Sequence, residues 1–299
     1  MAVVRRYDVT LYEHGRWTSV GRFAFGERND VATWRRVTSH RRFPPVIDRI
    51  GRRTVGLIQA VGRWGQFMAD MVRALPDVTT WGRLALVQMR RVGVDSLPVA
   101  LFIAAFTGVV LALQASYTFT GTVPLYFVGT LVGKTMMLEL GPVLAGLALA
   151  GRVGASMAAE LGTMKVTEQV DALETLAYDP QSFLVVPRVL AGTVMFPIVV
   201  ALAVLVGIMT GWMTSLWLLN LSTPEFVKGL RQFYQFKDTW FGLFKSATFG
   251  FTITTVGCVV GLSTRGGAEG VGRSTTRAVV YSAVAILVLD AFWAAVLLR

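Results

Sequence analysis

The sequence predicts an all-α membrane protein, on three observations. Of its 299 residues 54% are hydrophobic and only 16% charged, a balance that sets it apart from ordinary soluble domains. Residues 96–133 carry no charge, and further apolar stretches follow, each near the ~20 residues a helix needs to cross a bilayer. The net charge of +11 is concentrated ahead of the first stretch, where 17 of the 29 Lys and Arg precede residue 98.

Residues 1–45 read as an N-terminal extension of unknown role. No apolar run follows the early arginines, so a signal peptide is not expected. YDVTLY and RWTSVGRFAF alternate as a small hairpin turning at His14-Gly15 would. A lone hairpin is marginally stable, and a disordered tail is the equal alternative. Residues 46–76 read as an interfacial amphipathic helix. Ile47, Ile50, Thr54, Leu57, Val61, Trp64, Met68, Met71 and Leu75 recur at steps of three and four. Arg49, Arg52, Arg53, Arg63 and Arg73 fall off that stripe, and Pro76 ends it. Apolar face in lipid with arginines at phosphates is the simplest reading; packing on another protein surface is the alternative.

Residues 77–299 form the membrane domain. Five transmembrane helices are expected, at about 97–119, 124–151, 185–219, 246–264 and 278–298. Thr120–Pro124 reads as a tight turn. A short helix capped at Ser222 or Thr223 before Pro224 breaks the polar, aromatic stretch 222–240. The basic N-terminal flank reads as cytoplasmic, and five spans then put the C-terminus outside. Loop charge is a poor witness to this: 152–188 holds three basic and five acidic residues.

Between the second and third spans a polar helix of about 163–177 is expected. Thr167 reads as its N-cap, with Glu168 and Asp171 near the positive end of the dipole. Val166, Val170, Leu173 and Ala177 form one apolar stripe. Asp179-Pro180 closes the segment. A short helix held between two membrane helices makes a docking surface, through which something outside the membrane acts on something inside it.

Several functions are excluded. Cys258 is the sole cysteine, and His14 and His40 are the sole histidines, so a disulfide framework or metal cluster is not expected. The basic charge precedes membrane spans, which argues against nucleic acid. Gly129-Thr-Leu-Val-Gly133-Lys134-Thr135 mimics a P-loop but has three residues between its glycines where four are needed. Gly266–Gly272 lacks the GxGxxG spacing. With no ATPase site and no hydrolytic triad in view, the chain alone is not read as an enzyme.

Ionisable residues inside membrane spans default to functional hypotheses. Lys134 and Glu139 are five apart, about 140° around a straight helix, so they are not expected to share a face. Glu139 is either a polar point in a lipid pocket or an interhelical hydrogen bond. Asp290, near the end of the fifth span, reads as a snorkelling or structurally paired group. Arg152 marks the cytoplasmic boundary. Gly141, Gly146, Gly151 and Gly154 allow close helix packing, within the subunit or across a dimer axis.

The stretch ELGPVLAGLALAGRVGASMAAELGTMKVTEQVDALETLAYDP (139–180) and VVPRVLA after it resemble the MlaE/YrbE family of ABC transporter permeases. GVVLALQ (108–114) and GGAEGVGRSTTRAVV (266–280) match as well. The resemblance covers about residues 50–298. It implies a permease subunit of the bacterial inner membrane, multi-pass, N-terminus cytoplasmic and C-terminus periplasmic. Such a subunit moves phospholipid or another hydrophobic lipid between that membrane and an MCE protein, driven by a separate ATPase. The implied partners are a second copy in a homodimer, an ABC ATPase subunit that binds the ATP, an MCE-domain periplasmic protein, a STAS-type accessory protein and membrane lipid. No cofactor or metal is implied in this chain, and no nucleic acid.

The resemblance also implies sites. Its coupling helix matches Thr163–Leu176, with Glu160, Lys165, Thr167, Glu168, Asp171 and Glu174 as the ATPase-coupling residues. Its lipid pocket, between the two copies, carries over to Leu111, Leu113, Gln114, Tyr117 and Glu139. The family often has a basic residue just before the matching Glu. Here Leu138 stands there, and Lys134 is the expected substitute, about one turn earlier. The rival class, a partner-free secondary transporter or channel, predicts internal repeats, broken helices and several midplane charges. A purely structural scaffold would not need the polar coupling helix.

Overall fold

The computed structural model describes residues 6–13, 16–24, 59, 62–119 and 123–297. The chain divides into two units, Met1–Arg63 and Trp64–Arg299. In the first, β1 (Arg6–Glu13) and β2 (Arg16–Ala24) pair antiparallel, with Glu13 opposite Arg16 and a register shift between Val9 and Thr10. The turn expected at His14-Gly15 falls between the two strands and itself lies outside the described residues. Residues 47–58, 60 and 61 of the arginine-flanked stripe lie outside the described residues, as does most of the turn expected at Thr120–Pro124.

The second unit is helical. Helix α1 spans 62–74. Its Met71 and Ala74 are buried, and Met68 and Leu75 pack beside them against Leu161, Val170 and Leu184. The described end of the stripe thus covers the protein's own body. The Trp81 indole N–H donates to the Leu75 carbonyl at 2.9 Å, which secures the turn at Pro76. Helix α2 (Val78–Val92) follows, and a single 3-10 turn leads it into α3 (Leu97–Thr118). Helix α2, not expected as an element of its own, is amphipathic: Trp81, Ala85, Met89 and Val92 recur at steps of three and four and turn toward the core.

Five helical runs are long and apolar enough to cross a membrane: Val78–Thr118, Phe127–Val166, Gln181–Leu218, Phe236–Leu262 and Gly267–Val296. The second comprises α4 (Phe127–Thr135), α5 (Gly141–Leu149) and α6 (Ala155–Val166), joined without a break by two π turns. Helix α7 (Gln169–Thr175) leads to α8 (Val186–Leu218), α9 (Thr223–Gln232), α10 (Phe236–Leu262) and α11 (Gly267–Leu297). Helix α10 begins ten residues before the expected span, because its first half carries Lys237, Asp238 and Lys245 and reads as polar.

Helix α8 packs between α3 and α10, and α6 packs on α10 and α11. The end that carries α6 and α7 is called the near end here, and the end that carries α9 the far end. Met71, Leu161, Val170 and Leu184 build the near-end core; Leu149, Phe196, Phe249 and Ile253 the middle; Val128, Met136, Ala203 and Phe226 the far-end core. Glycine sets one crossing: a Cβ on Gly250 would strike the Gly192 carbonyl and the Phe196 ring, and one on Gly192 would strike Thr254. Three of the four glycines noted in the sequence also face inward: Gly141 toward Val204, Gly146 toward Phe249 and Gly154 toward Ile253, whereas Gly151 faces open space.

At the far end, Pro224 opens α9, and the Glu225 carboxylate accepts from the Ser222 N–H at 3.0 Å and from its hydroxyl at 2.6 Å. These Ser222 bonds hold the Glu225 pKa below its ordinary value of 4.5. A carboxylate with a lowered pKa stabilises the fold above its unfolded value and loses that contribution as pH falls through the folded one. The α9 cap should persist at neutral pH and be lost in acid below 4.5, read as hydrogen exchange at the Ser222 and Glu225 amides. Exchange unchanged across that range would refute the cap. Gly250→Val should lower the thermal midpoint in detergent, with overpacking of about 1–3 kcal/mol. An unchanged midpoint would show that the α8–α10 crossing is looser than described.

Candidate functional site

The site starts from a proline. Pro142 has no N–H, so the carbonyl one turn earlier, Leu138 O, has no helical donor. The run accommodates this with a π turn over Met136–Leu140, the kind of bulge that clusters at functional sites. The Leu138 carbonyl instead accepts from Lys245 Nζ of α10 at 3.2 Å. Gly242 permits the approach, since a Cβ there would strike the Met137 carbonyl.

Lys245 is fully buried, and two carboxylates hold it: Glu139 Oε2 at 2.7 Å and Asp290 Oδ1 at 2.5 Å. A second pair, Lys134 with Asp238 at 3.6 Å, lies beside it on the same two helices. Lys134 and Glu139 therefore both face α10, contrary to the straight-helix expectation. The π turn places more residues in its turn than an α-turn holds, so five residues rotate the chain by about one full turn. On α10 the partners Asp238 and Lys245 are seven apart, two turns on one face. Asp290 is a paired group, as one of its two readings had it.

Sequence reasoning missed Lys245. It stands just outside the expected fourth span, 246–264. The signal was available: two acids within spans call for cations at the same depth, and Lys245 is the basic residue spaced two turns from Asp238.

The residues assigned to a lipid pocket divide. Leu111 is buried among the subunit's own Ala112, Ala115 and Val128. Leu113, Gln114 and Tyr117 point outward from α3, and Tyr117 is 84% exposed. Among the described residues no hydrogen bond or ion pair joins these three to Glu139. Lys134 does not stand beside Glu139 as a headgroup cation; it is engaged by Asp238. Next to the Lys245 group lies an open apolar cavity of about 770 Å³ lined by Phe236, Trp240, Phe241, Phe244 and Val296, with Lys237 at its edge.

At the near end, the expected helix 163–177 is divided. Helix α6 runs on to Val166, and the Thr167 hydroxyl donates back to the Thr163 carbonyl at 2.8 Å. Thr167 thus ends α6 and does not cap α7. Glu168 takes a left-handed φ of 60° and turns the chain. Lys165 clamps Asp171 across the bend at 2.6 Å. Val170 is buried, and Leu173 packs with it over α1. Ala177, expected on that stripe, is exposed at φ 61°. Glu168, Asp171, Glu174 and Tyr178 face outward together with Leu176, which is 68% exposed. Asp179 caps the next helix, accepting from the Gln181 and Ser182 amides at 3.1 and 3.2 Å. Glu160 belongs elsewhere: its carboxylate bridges Arg91 of α2 at 3.4 Å and the buried Arg188 of α8 at 3.3 Å.

A helical membrane body with interior ion pairs, and a bent polar segment presented at one end, has the form of a transport permease. The family described as "Permease MlaE" matches residues 85–296, and the chain belongs to that family. It is 39% identical to the "Probable ABC transporter permease protein" of Rickettsia typhi, over 81% of this chain and 94% of that protein. The intermembrane phospholipid transport system permease protein MlaE of Haemophilus influenzae is 30% identical over 82% and 94%. The chloroplastic protein TRIGALACTOSYLDIACYLGLYCEROL 1 of Arabidopsis thaliana is 34% identical over 74% of this chain and 63% of its own length.

Lys245→Met should destabilise the protein by about 1–3 kcal/mol, because Glu139 and Asp290 lose their shared cation while keeping partial access to solvent. Adding Glu139→Gln and Asp290→Asn should recover part of that loss, since the unpaired charges go with it. Thermal unfolding of the single and triple variants in one detergent checks this. A triple variant no more stable than the single one would show that the charges are not coupled.

Proposed function

We propose that this chain is the permease subunit of an ABC transporter that moves phospholipid or another hydrophobic lipid between the inner membrane and an MCE-domain protein, driven by a separate ATPase. The observation that carries the reading is continuity. One 40-residue run, Phe127–Val166, holds Glu139 in its first third and passes into the bent α6–α7 segment at its end. A push on α7 acts directly on the helix that bears the interior charges.

The parts take roles on that reading. The ATPase subunit, which binds the ATP, docks on Glu168, Asp171, Glu174 and Leu176, with Lys165 and Thr167 shaping the bend. Closure of the ATPase dimer moves α6 and α7 as rigid pieces. Two copies of this chain form the transporter core, meeting over the outward face of α3 that carries Leu113, Gln114 and Tyr117. The lipid enters between them with its tails in apolar surroundings, near Glu139. The near end is cytoplasmic, in keeping with the basic N-terminal flank, and the MCE protein receives lipid at the far end. A STAS-type protein is a further partner on the cytoplasmic side. The homologous Haemophilus protein, named for intermembrane phospholipid transport, supports the choice of cargo.

The test is reconstitution of the full chain with the ATPase and MCE protein of its own organism in liposomes carrying a fluorescent phospholipid. ATP-dependent transfer of the probe to the MCE protein is expected. Solute or ion flux through the chain alone, with no lipid transfer, would instead favour a channel or secondary transporter. For the docking surface, Glu168→Lys with Asp171→Lys, and separately Leu176→Asp, should cut ATPase co-purification about tenfold while the permease still elutes as a folded species. ATPase recovery equal to wild type in both would place the docking surface elsewhere.

A further inference from the structure

We infer that the near end holds a second site, one that binds the phosphate of a membrane phospholipid and is distinct from the charges around Lys245. A cavity of about 240 Å³ opens there between α2, the turn after it and the second π turn, Ala150–Gly154. Its polar wall is Gln88, Arg91, Asp95, Arg152, Ser156 and Glu160, and its apolar wall Val92, Val153 and Met157.

Counted with Arg188, which Glu160 also holds, this wall sets three guanidinium groups against two carboxylates, Glu160 and Asp95. Both Glu160 oxygens are already engaged, one by Arg91 and the other by Arg188. Arg152 has no carboxylate partner among the described residues; its one hydrogen bond there goes from Nη1 to the Ser96 hydroxyl. A guanidinium carries five donors, so most of those on Arg152 are left for a ligand. The planar fork matches phosphate geometry, two donors to two oxygens. The π turn puts Arg152 on the cavity wall.

Depth and lining select a lipid over a soluble phosphate. Arg152 meets Ser96 at the point where the uncharged stretch 96–133 begins, the level at which a span leaves the hydrocarbon for the headgroups. Val94 and Val99, on either side of that point, are 52% and 41% exposed. A phosphate at Arg152 therefore has apolar surface beside it for the glycerol and first methylenes of a lipid.

The inference does not rest on transport, and its test reads retained lipid. The full chain, purified in detergent, is mixed with phosphatidylglycerol or with diacylglycerol of the same chains, and adducts are counted by native mass spectrometry. Wild type should retain phosphatidylglycerol and not diacylglycerol. Arg152→Gln should lower retention about tenfold, the scale of losing charge-assisted hydrogen bonds. Gln88→Glu removes no described contact and places a negative charge in the wall, so it should do the same if Arg152→Gln fails to fold. The exposed Arg273→Gln should change nothing. Equal retention by wild type and Gln88→Glu would overturn the site. Thermal protection of wild type by inorganic phosphate, equal to that by phosphatidylglycerol and lost in Arg152→Gln, would overturn the lipid assignment.

Discussion

A buried lysine constrains everything around it. Lys245 has no exposed surface, and an ammonium taken out of water carries a penalty of several kcal/mol unless its partners are close and well placed. Each partner imposes a demand on a different element. Glu139 reaches it because α4 and α5 are joined by a π turn. The Leu138 carbonyl reaches it because Pro142 leaves that carbonyl without a helical donor. Asp290 reaches it only if α11 lies against α10. Gly242 must lack a side chain for α10 to come near enough. One side chain thus fixes the relative register of three membrane-crossing runs, which apolar contacts alone, tolerant of sliding, would leave less defined.

The two π turns divide the second run into three stiff pieces. The first aims Glu139 and the second sets Arg152 on the near-end cavity wall. Between them α5 is short, apolar and packed on the middle core. At the near end Glu160 joins α2, α6 and α8 through two arginines, so three helices are tied to one carboxylate. The polar contacts of this protein are therefore concentrated at two levels, with apolar packing between them. Any displacement of α6 meets the Glu160 clasp first and the Lys245 group second.

Much of this was legible in the sequence. The apolar stretches marked the runs because hydrophobicity over ~20 residues is a strong signal. Ser222 and Pro224 marked a helix start because capping chemistry is local; Asp179, read as closing the polar segment, caps the helix that follows. The outward acids of α7 were identified, although their helix is shorter than expected and Thr167 caps backward. What stayed hidden depends on the third dimension. A π turn has no periodic signature, so the shared face of Lys134 and Glu139 could not be read from a spacing of five. Lys245 was hidden because a charge at the edge of an apolar stretch reads as the end of a span until its partners are known. Leu111, carried over from the resemblance, faces inward while its near neighbours Leu113 and Gln114 face outward. That choice rests on which side of α3 meets α8.

The strength of the Lys245 group bears on how such a permease could move. Separating Lys245 from both acids would leave a buried ammonium uncompensated, at a cost of about 3–5 kcal/mol, a large part of a domain's stability. A cycle that broke and remade these pairs would be slow. On the proposed reading, α4 with α5, α10 and α11 therefore travel as one block, locked at Lys245. Bending falls where the backbone ladder is already irregular, at Ala150–Gly154, between that block and α6. On that reading the near-end segment acts as a lever, with the π turn as its joint. The interior charges serve that motion by staying paired, so that force applied at α7 arrives as a displacement of whole helices and is not spent within the subunit.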